Sequence, residues 1–332
     1  MPTPHRFSAY LVAKTDAGAF QGAVHNDLAL DQLPQGDLLI QVEHSSLNYK
    51  DALSATGNPG VTKLYPHVPG IDAAGTVAAC ESSRFAPGDK VLVTGYRFGM
   101  DHWGGFAQYA RIPSEWAVPL PAGLSPLESM RLGTAGFTAA LSLDAILRQG
   151  RGPSDGPVLV TGATGGVAMV AIALLARLGF PVTAVTRKQD ASGRLRQLGA
   201  QSVLRPDELD AGDKPLLKER WSAVVDTVGG PGLESLLKAT RSGGVVTTCG
   251  NAAGARFSSS VFPFILRGVT LAGIDSAQQS MAERVRIWGR LATDWRVELE
   301  QICAETGLDG INGCVRELLA GTHVGRTVVT IR

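Results

Sequence analysis

Apolar positions along the chain fall into two regimes. Up to about residue 130 the apolar runs are brief and isolated: 38–42 (LLIQV), 75–79 (GTVAA) and 90–94 (KVLVT) are each bounded by Gly, Pro or Asp. Such runs predict strands, one of them fed by the turn Pro87-Gly88-Asp89, and many short strands predict a barrel-like or sandwich-like domain. From Met130 onward strand-length and helix-length segments alternate. Strands are expected at 157–161, 182–186, 202–204, 223–226, 244–249 and 269–274, and helices at 132–147, 167–178, 192–198 and 233–240. This rhythm predicts a mostly parallel sheet with helices on both faces. The tail adds a helix candidate at 310–319 and a β-branched strand at 326–331, whose sheet partner the pattern leaves open.

One segment carries a specific signal. Residues 158–170 read VLVTGATGGVAMV, a buried strand running into Gly162, Gly165, Gly166 and Ala168 and then into a helix. Small residues at this spacing permit a tight turn, let backbone approach a pyrophosphate and let helix and strand pack closely. The helix N-terminus then offers free N–H groups to phosphates. Thr164, Gly165, Gly166 and Val167 are the expected contacts. A glycine cluster alone also fits an ordinary loop; the strand before it, the helix after it and the further βα units favour a dinucleotide. The second strand ends in Thr186-Arg187-Lys188, where an NAD site usually carries an acidic residue. A hydroxyl and two cations suit the 2′-phosphate of NADPH. Arg205 after the third strand and Asn251 after the fifth are further cofactor candidates.

Composition narrows the classes. The chain has 332 residues, enough for about two domains. Its net charge is +1 with scattered Lys and Arg, so neither nucleic acid nor a membrane surface is an expected partner. Cys80, Cys249, Cys303 and Cys314 form no CxxC pair, and the N-terminus lacks the apolar run of a signal peptide. A reducing, cytoplasmic compartment is expected. The six histidines (His5, His25, His44, His67, His102 and His323) show no paired ligand spacing.

Stretches spanning nearly the whole chain resemble the NADPH-dependent acryloyl-CoA reductases, a quinone-oxidoreductase-like branch of the medium-chain dehydrogenase/reductase superfamily. They are SSLNYKDALSATG (45–57), PHVPGIDAAGTV (66–77), HWGGFAQYAR (102–111), LGTAGFTAA (132–140), VTGATGGVA (160–168), DTVGG (226–230), FPFILRGVTLAGIDS (262–276) and GRTVV (325–329). The resemblance implies a GroES-like catalytic domain at 1–130, a Rossmann NADPH-binding domain at 131–300, and a segment at 301–332 returning to the catalytic domain. The fold class would be α/β, with the active site between the domains and a homodimer paired through the edge near 270. Where zinc-dependent relatives place a Cys and a Gly-His-Glu stretch, this chain has Asn48 and Gly70-Ile71-Asp72, so no catalytic metal is expected.

The implied chemistry is conjugate reduction. Hydride reaches the β-carbon of an unsaturated thioester, charge builds on its oxygen, and a proton returns to the α-carbon. Tyr49 is the candidate donor, or alternatively a cofactor contact, and Asn48 would orient the carbonyl. Lys50 and Asp51 are expected as a structural ion pair, and His102 as part of a turn. Thr134 and Thr138 would touch cofactor phosphates, and Lys63, Arg97 or Arg267 would meet the phosphates of CoA. Two alternatives stay open: a broader quinone or enone reductase, and a nucleotide-binding sensor or crystallin-like protein with little catalysis.

Overall fold

The computed structural model describes residues 6–209 and 212–332; His5 lies outside them. The chain divides into two compact units. The first holds the residues up to Thr134, together with Ala277–Thr293 and Leu299–Arg332; the second holds Ala135–Ser276 and Asp294–Glu298.

In the first unit β1 (Arg6–Lys14) and β2 (Phe20–Ala29) form an antiparallel hairpin. Strands β3 (Leu38–Leu47), β4 (Asp72–Cys80), β5 (Lys90–Thr94), β6 (Tyr109–Ile112) and β7 (Val118–Pro119) follow, with helix α1 (Tyr49–Ala55) between β3 and β4. Helix α2 (Pro126–Arg148) breaks at Gly133 and leaves the unit after Thr134.

The second unit contains β8 (Val158–Val160), α3 (Gly166–Arg177), β9 (Val182–Val185), α4 (Ser192–Gln197), β10 (Ala200–Leu204), β11 (Trp221–Asp226), α5 (Gly232–Ala239), β12 (Thr240–Thr248), α6 (Phe262–Arg267) and β13 (Thr270–Gly273). All six strands are parallel, in the order β10-β9-β8-β11-β12-β13. The order reverses between β8 and β11. That is the doubly wound Rossmann arrangement, in which ligands bind at the carboxyl ends of the strands at the switch point. Strands β8, β9 and β11 are buried along their whole length, as a sheet covered on both faces requires.

The chain then completes the first unit with α7 (Met281–Ala292), β14 (Cys303–Thr306), α8 (Ile311–Leu319) and β15 (Arg326–Thr330). Strand β3 is the hub. It pairs antiparallel with β4 along one edge; along the other, its first half pairs with β6 and its second half with β15. The register sets Leu47 opposite Thr327, which brings the end of β3 beside Arg326.

Two departures from the sequence pattern have local causes. Residues 277–293 fall in the expected Rossmann span of 131–300 but group with the first unit. The fully buried Arg284 of α7 accounts for this: it donates to Thr94 O at 2.8 Å and Thr94 Oγ1 at 3.0 Å and lies 4.3 Å from the Tyr96 ring centroid. Strand β2 has no counterpart among the expected strands because it is mostly exposed and lacks apolar alternation.

Candidate active site

Tyr49 is the first residue of α1 and is 48% exposed. Its position follows from the residues around it. The Asp51 carboxylate folds back to accept the Asn48 backbone N–H at 2.7 Å, which starts the helix there. Asp51 also accepts Gly70 N at 3.0 Å and Ile71 N at 2.8 Å, tying α1 to the segment entering β4. Asp51 is fully buried while Lys50 is exposed, so the expected Lys50–Asp51 ion pair gives way to backbone capping. The reason is geometric: successive residues at a helix start point in different directions.

Beneath Tyr49 lies a buried polar network. Asp72, at the start of β4, accepts Ser46 Oγ at 2.5 Å, Asn48 Nδ2 at 2.8 Å and Thr134 N at 2.9 Å, and also accepts the Thr134 hydroxyl. Arg326 of β15 donates to Ser46 Oγ at 2.8 Å and to Asn48 Oδ1 and Leu47 O, each at 3.1 Å. Its guanidinium is 4.0 Å from Asp72, with the Ser46 hydroxyl relaying between them. Burial, reinforced by the charge of Asp72, pushes the Asp51 carboxyl up to about 7. Gly133 permits the close approach of α2: with φ 53° its backbone suits glycine, and a Cβ there would lie 2.4 Å from Ser46 Oγ.

Asn48 spends its amide inside the protein, on Asp72 and Arg326. Thr134 likewise gives its hydroxyl to Asp72. Thr138 is buried. His102 Nε2 lies 2.6 Å from Arg111 O and its ring packs edge-on to Trp116, which keeps it in the turn.

In the second unit the glycine turn takes the expected form. Gly162 has φ 59°, and a Cβ on it would meet Thr227 Oγ1 at 2.5 Å. Thr164 is buried, Gly165 is exposed, and Gly166 and Val167 open α3 half-buried. The first-turn N–H groups of a helix have no intrahelical partner and favour an anion. Thr186 is buried, and its Oγ1 accepts Lys188 N at 3.0 Å, which leaves the hydroxyl proton to donate. Arg187 is exposed and Lys188 half-buried. Burial first, then the neighbouring Arg187 charge, lower the Lys188 ammonium from its usual value against the pull of Asp190. The turn and this cationic corner both fit a phosphorylated dinucleotide.

Other candidate cations are already engaged. Arg205 holds Asp207 two residues on, with Nε 2.9 Å from Asp207 Oδ1. Arg267 donates to Lys238 O at 2.7 Å and Leu217 O at 2.6 Å and pairs with Glu219. Arg97 lies 3.4 Å from Asp101. Of the three cations considered for CoA, Lys63 is exposed. Asn251 is exposed in the loop after β12. Among the described residues no group of three His, Cys, Asp or Glu side chains is placed to hold a metal ion, and no helix is long and apolar enough to cross a membrane.

Known proteins show the same two-part design. Residues 34–122 match the Alcohol dehydrogenase GroES-like domain family and residues 166–288 match the Zinc-binding dehydrogenase family. The chain is 43% identical over 327 residues to the acrylyl-CoA reductase AcuI of Ruegeria pomeroyi, covering 98% of this chain and 99% of that protein. The chain belongs to the acryloyl-CoA reductase branch of the medium-chain dehydrogenase/reductase superfamily. The yhdH oxidoreductase from Salmonella enterica, solved in complex with NADP, superposes with a TM-score of 0.94 at 42% identity, covering 98% of this chain and 100% of that one. The Bacillus subtilis protein yhfP, solved with NAD bound, gives 0.95 at 40% identity over 98% and 100%. The fold of this oxidoreductase is accordingly α/β, a GroES-like β-rich unit and a Rossmann unit.

Sequence reasoning missed Ser46 and Arg326 as parts of the oxidoreductase's site. Both lie within motifs that resemble the family, SSLNYKD and GRTVV, but only the β3–β15 register brings them together. Arg326→Leu leaves the buried Asp72 carboxylate without its cation and is expected to destabilise the chain by about 3–5 kcal/mol in urea unfolding. Asp51 gives a pH signature. Its folded pKa lies above the unfolded 3.8, so its stabilisation is complete below 3.8 and falls as pH rises to about 7. In urea unfolding, wild-type stability relative to Asp51→Asn is expected to decline across that window and then level off.

Proposed function

We propose that this chain reduces the C=C bond of acryloyl-CoA to propanoyl-CoA with NADPH and without zinc. The observation that carries this reading is the 43% identity to an acrylyl-CoA reductase along 98% of the chain. The cationic end of β9 supports NADPH, and relatives solved with NADP and NADPH are similar along 98% of the chain. Independence of zinc is supported by Asp72: the carboxylate at the metal-ligand position is taken up by Ser46, Asn48 and Thr134.

When bound, NADPH supplies the hydride for the β-carbon. Thr164, Gly165, Gly166 and Val167 would receive the diphosphate on the first turn of α3, and Thr186, Arg187 and Lys188 would receive the 2′-phosphate. Asn251 would line the carboxyl edge of the sheet. Tyr49 presents its hydroxyl to the thioester oxygen and stabilises the charge that builds there. Asn48 fixes the start of α1 and so the direction of Tyr49. The α-carbon takes its proton from Tyr49 or from water.

The protein works as a cytoplasmic homodimer in this reading. Strand β13 is an edge of its sheet, and Val261, Ile265 and Leu266 beside it are 61%, 67% and 62% exposed, an apolar surface suited to a second copy. Sedimentation is expected to give a dimer for wild type and a monomer for Ile265→Asp; a monomeric wild type rejects the assignment.

Purified protein is expected to consume NADPH with acryloyl-CoA and to prefer NADPH over NADH. Tyr49→Phe is expected to lower kcat on the order of 100-fold. Activity on quinones with none on acryloyl-CoA selects the broader reductase, and NADPH binding without turnover selects a sensor. An NADH preference overturns the role of Thr186-Arg187-Lys188. Unchanged turnover in Tyr49→Phe removes its hydroxyl from the chemistry.

A further inference from the structure

Strand β11 ends in Asp226, which is 1% exposed. Its carboxylate has four donors from three strand ends. Oδ1 lies 2.8 Å from Thr161 Oγ1 and 3.3 Å from Val228 N. Oδ2 lies 3.0 Å from Gly229 N and 2.9 Å from Thr248 Oγ1. Thr161 follows β8, Val228 and Gly229 follow β11, and Thr248 closes β12. All four partners are neutral, so the carboxylate is held by geometry and not by a counter-cation.

A second layer of bonds closes around it. Thr227 donates its N–H to Thr161 Oγ1 at 2.9 Å and its hydroxyl to Thr161 O at 2.8 Å. Cys249 N donates to Asp226 O at 3.1 Å and Ala253 N to Val228 O at 2.7 Å, and Gly229 bridges Gly254. The glycine turn and the loops of 227–230 and 249–254 are thereby joined through one carboxylate. A dinucleotide lies across the switch point with its adenosine ribose at the end of the second strand, here β9. Its other half then lies over β8, β11 and β12, whose ends Asp226 joins. The bonds of Thr186 run to Leu204, Lys188 and Gln189, away from Asp226.

We propose that Asp226 is a positioning residue for the diphosphate and nicotinamide half of the cofactor, holding the loops after β8, β11 and β12 as one wall. The proposal rests on the NADPH reading above. Asn at this position offers one acceptor oxygen where the carboxylate has two, and turns an N–H₂ group toward two donors. Leaving buried donors unmet is costly, and the loops that carry them shift to find other partners.

The test compares two ligands by calorimetry on folded protein. NADPH spans both halves of the site; adenosine 2′,5′-bisphosphate reaches only the β9 corner. Asp226→Asn is expected to weaken NADPH binding by roughly tenfold or more while changing bisphosphate binding by less than about twofold. Thr248→Val, which removes one donor and keeps the carboxylate, is expected to shift NADPH binding in the same direction by a smaller factor. It decides the matter where Asp226→Asn does not fold. Equal weakening of both ligands reduces Asp226 to a general structural role and overturns the proposal, as does unchanged NADPH binding in both variants. Failure of wild type to bind NADPH overturns the cofactor reading itself, and the proposal with it.

Discussion

A carboxylate withdrawn from water must be met by donors, and the first unit is arranged around meeting that demand at Asp72. Strand β3 sends Ser46 and Asn48, helix α2 sends Thr134, and β15 sends Arg326 toward the same point. Each donor reaches it only if its own element is in register. Paired burial of this kind is a weak source of net stability, but removing one partner is expensive. The network therefore acts less as glue than as a gauge of correct assembly. Its outermost consequence is the direction of Tyr49, one residue beyond Asn48.

The second unit meets the same demand with neutral groups. Asp226 is bound by two hydroxyls and two backbone N–H groups. A guanidinium here would compete for the phosphates of a nucleotide; neutral donors leave the cations to the end of β9. Arg187 is exposed, and Lys188 is half-buried with its ammonium lowered by that burial. Arg187 and Lys188 thus stand at the end of β9, and the loops bonded to Asp226 follow β8, β11 and β12.

Much of this was legible from residue order. The glycine turn, the alternation of strands and helices and the cationic end of β9 are local patterns with local causes. Elements whose burial depends on a partner were not legible. Strand β2 exposes most of its residues and is a strand because β1 pairs with it. Helix α7 carries Arg284 on a buried face, against the usual pattern, because Thr94 and the Tyr96 ring receive it. The partners of the candidate cations were not legible either: Arg205 meets Asp207, and Arg267 meets carbonyls of Leu217 and Lys238.

The sequence by itself determined a parallel sheet and a dinucleotide turn with a basic corner. These follow from spacing over a few residues, where backbone geometry leaves few choices. Only the tertiary structure decided what Asn48, Thr134 and Arg326 do. Arg326 and Ser46 are 280 positions apart, and Thr134 and Asp72 are 62 apart. No local pattern encodes such pairs. They exist because strand register and a glycine kink bring buried charge to one point.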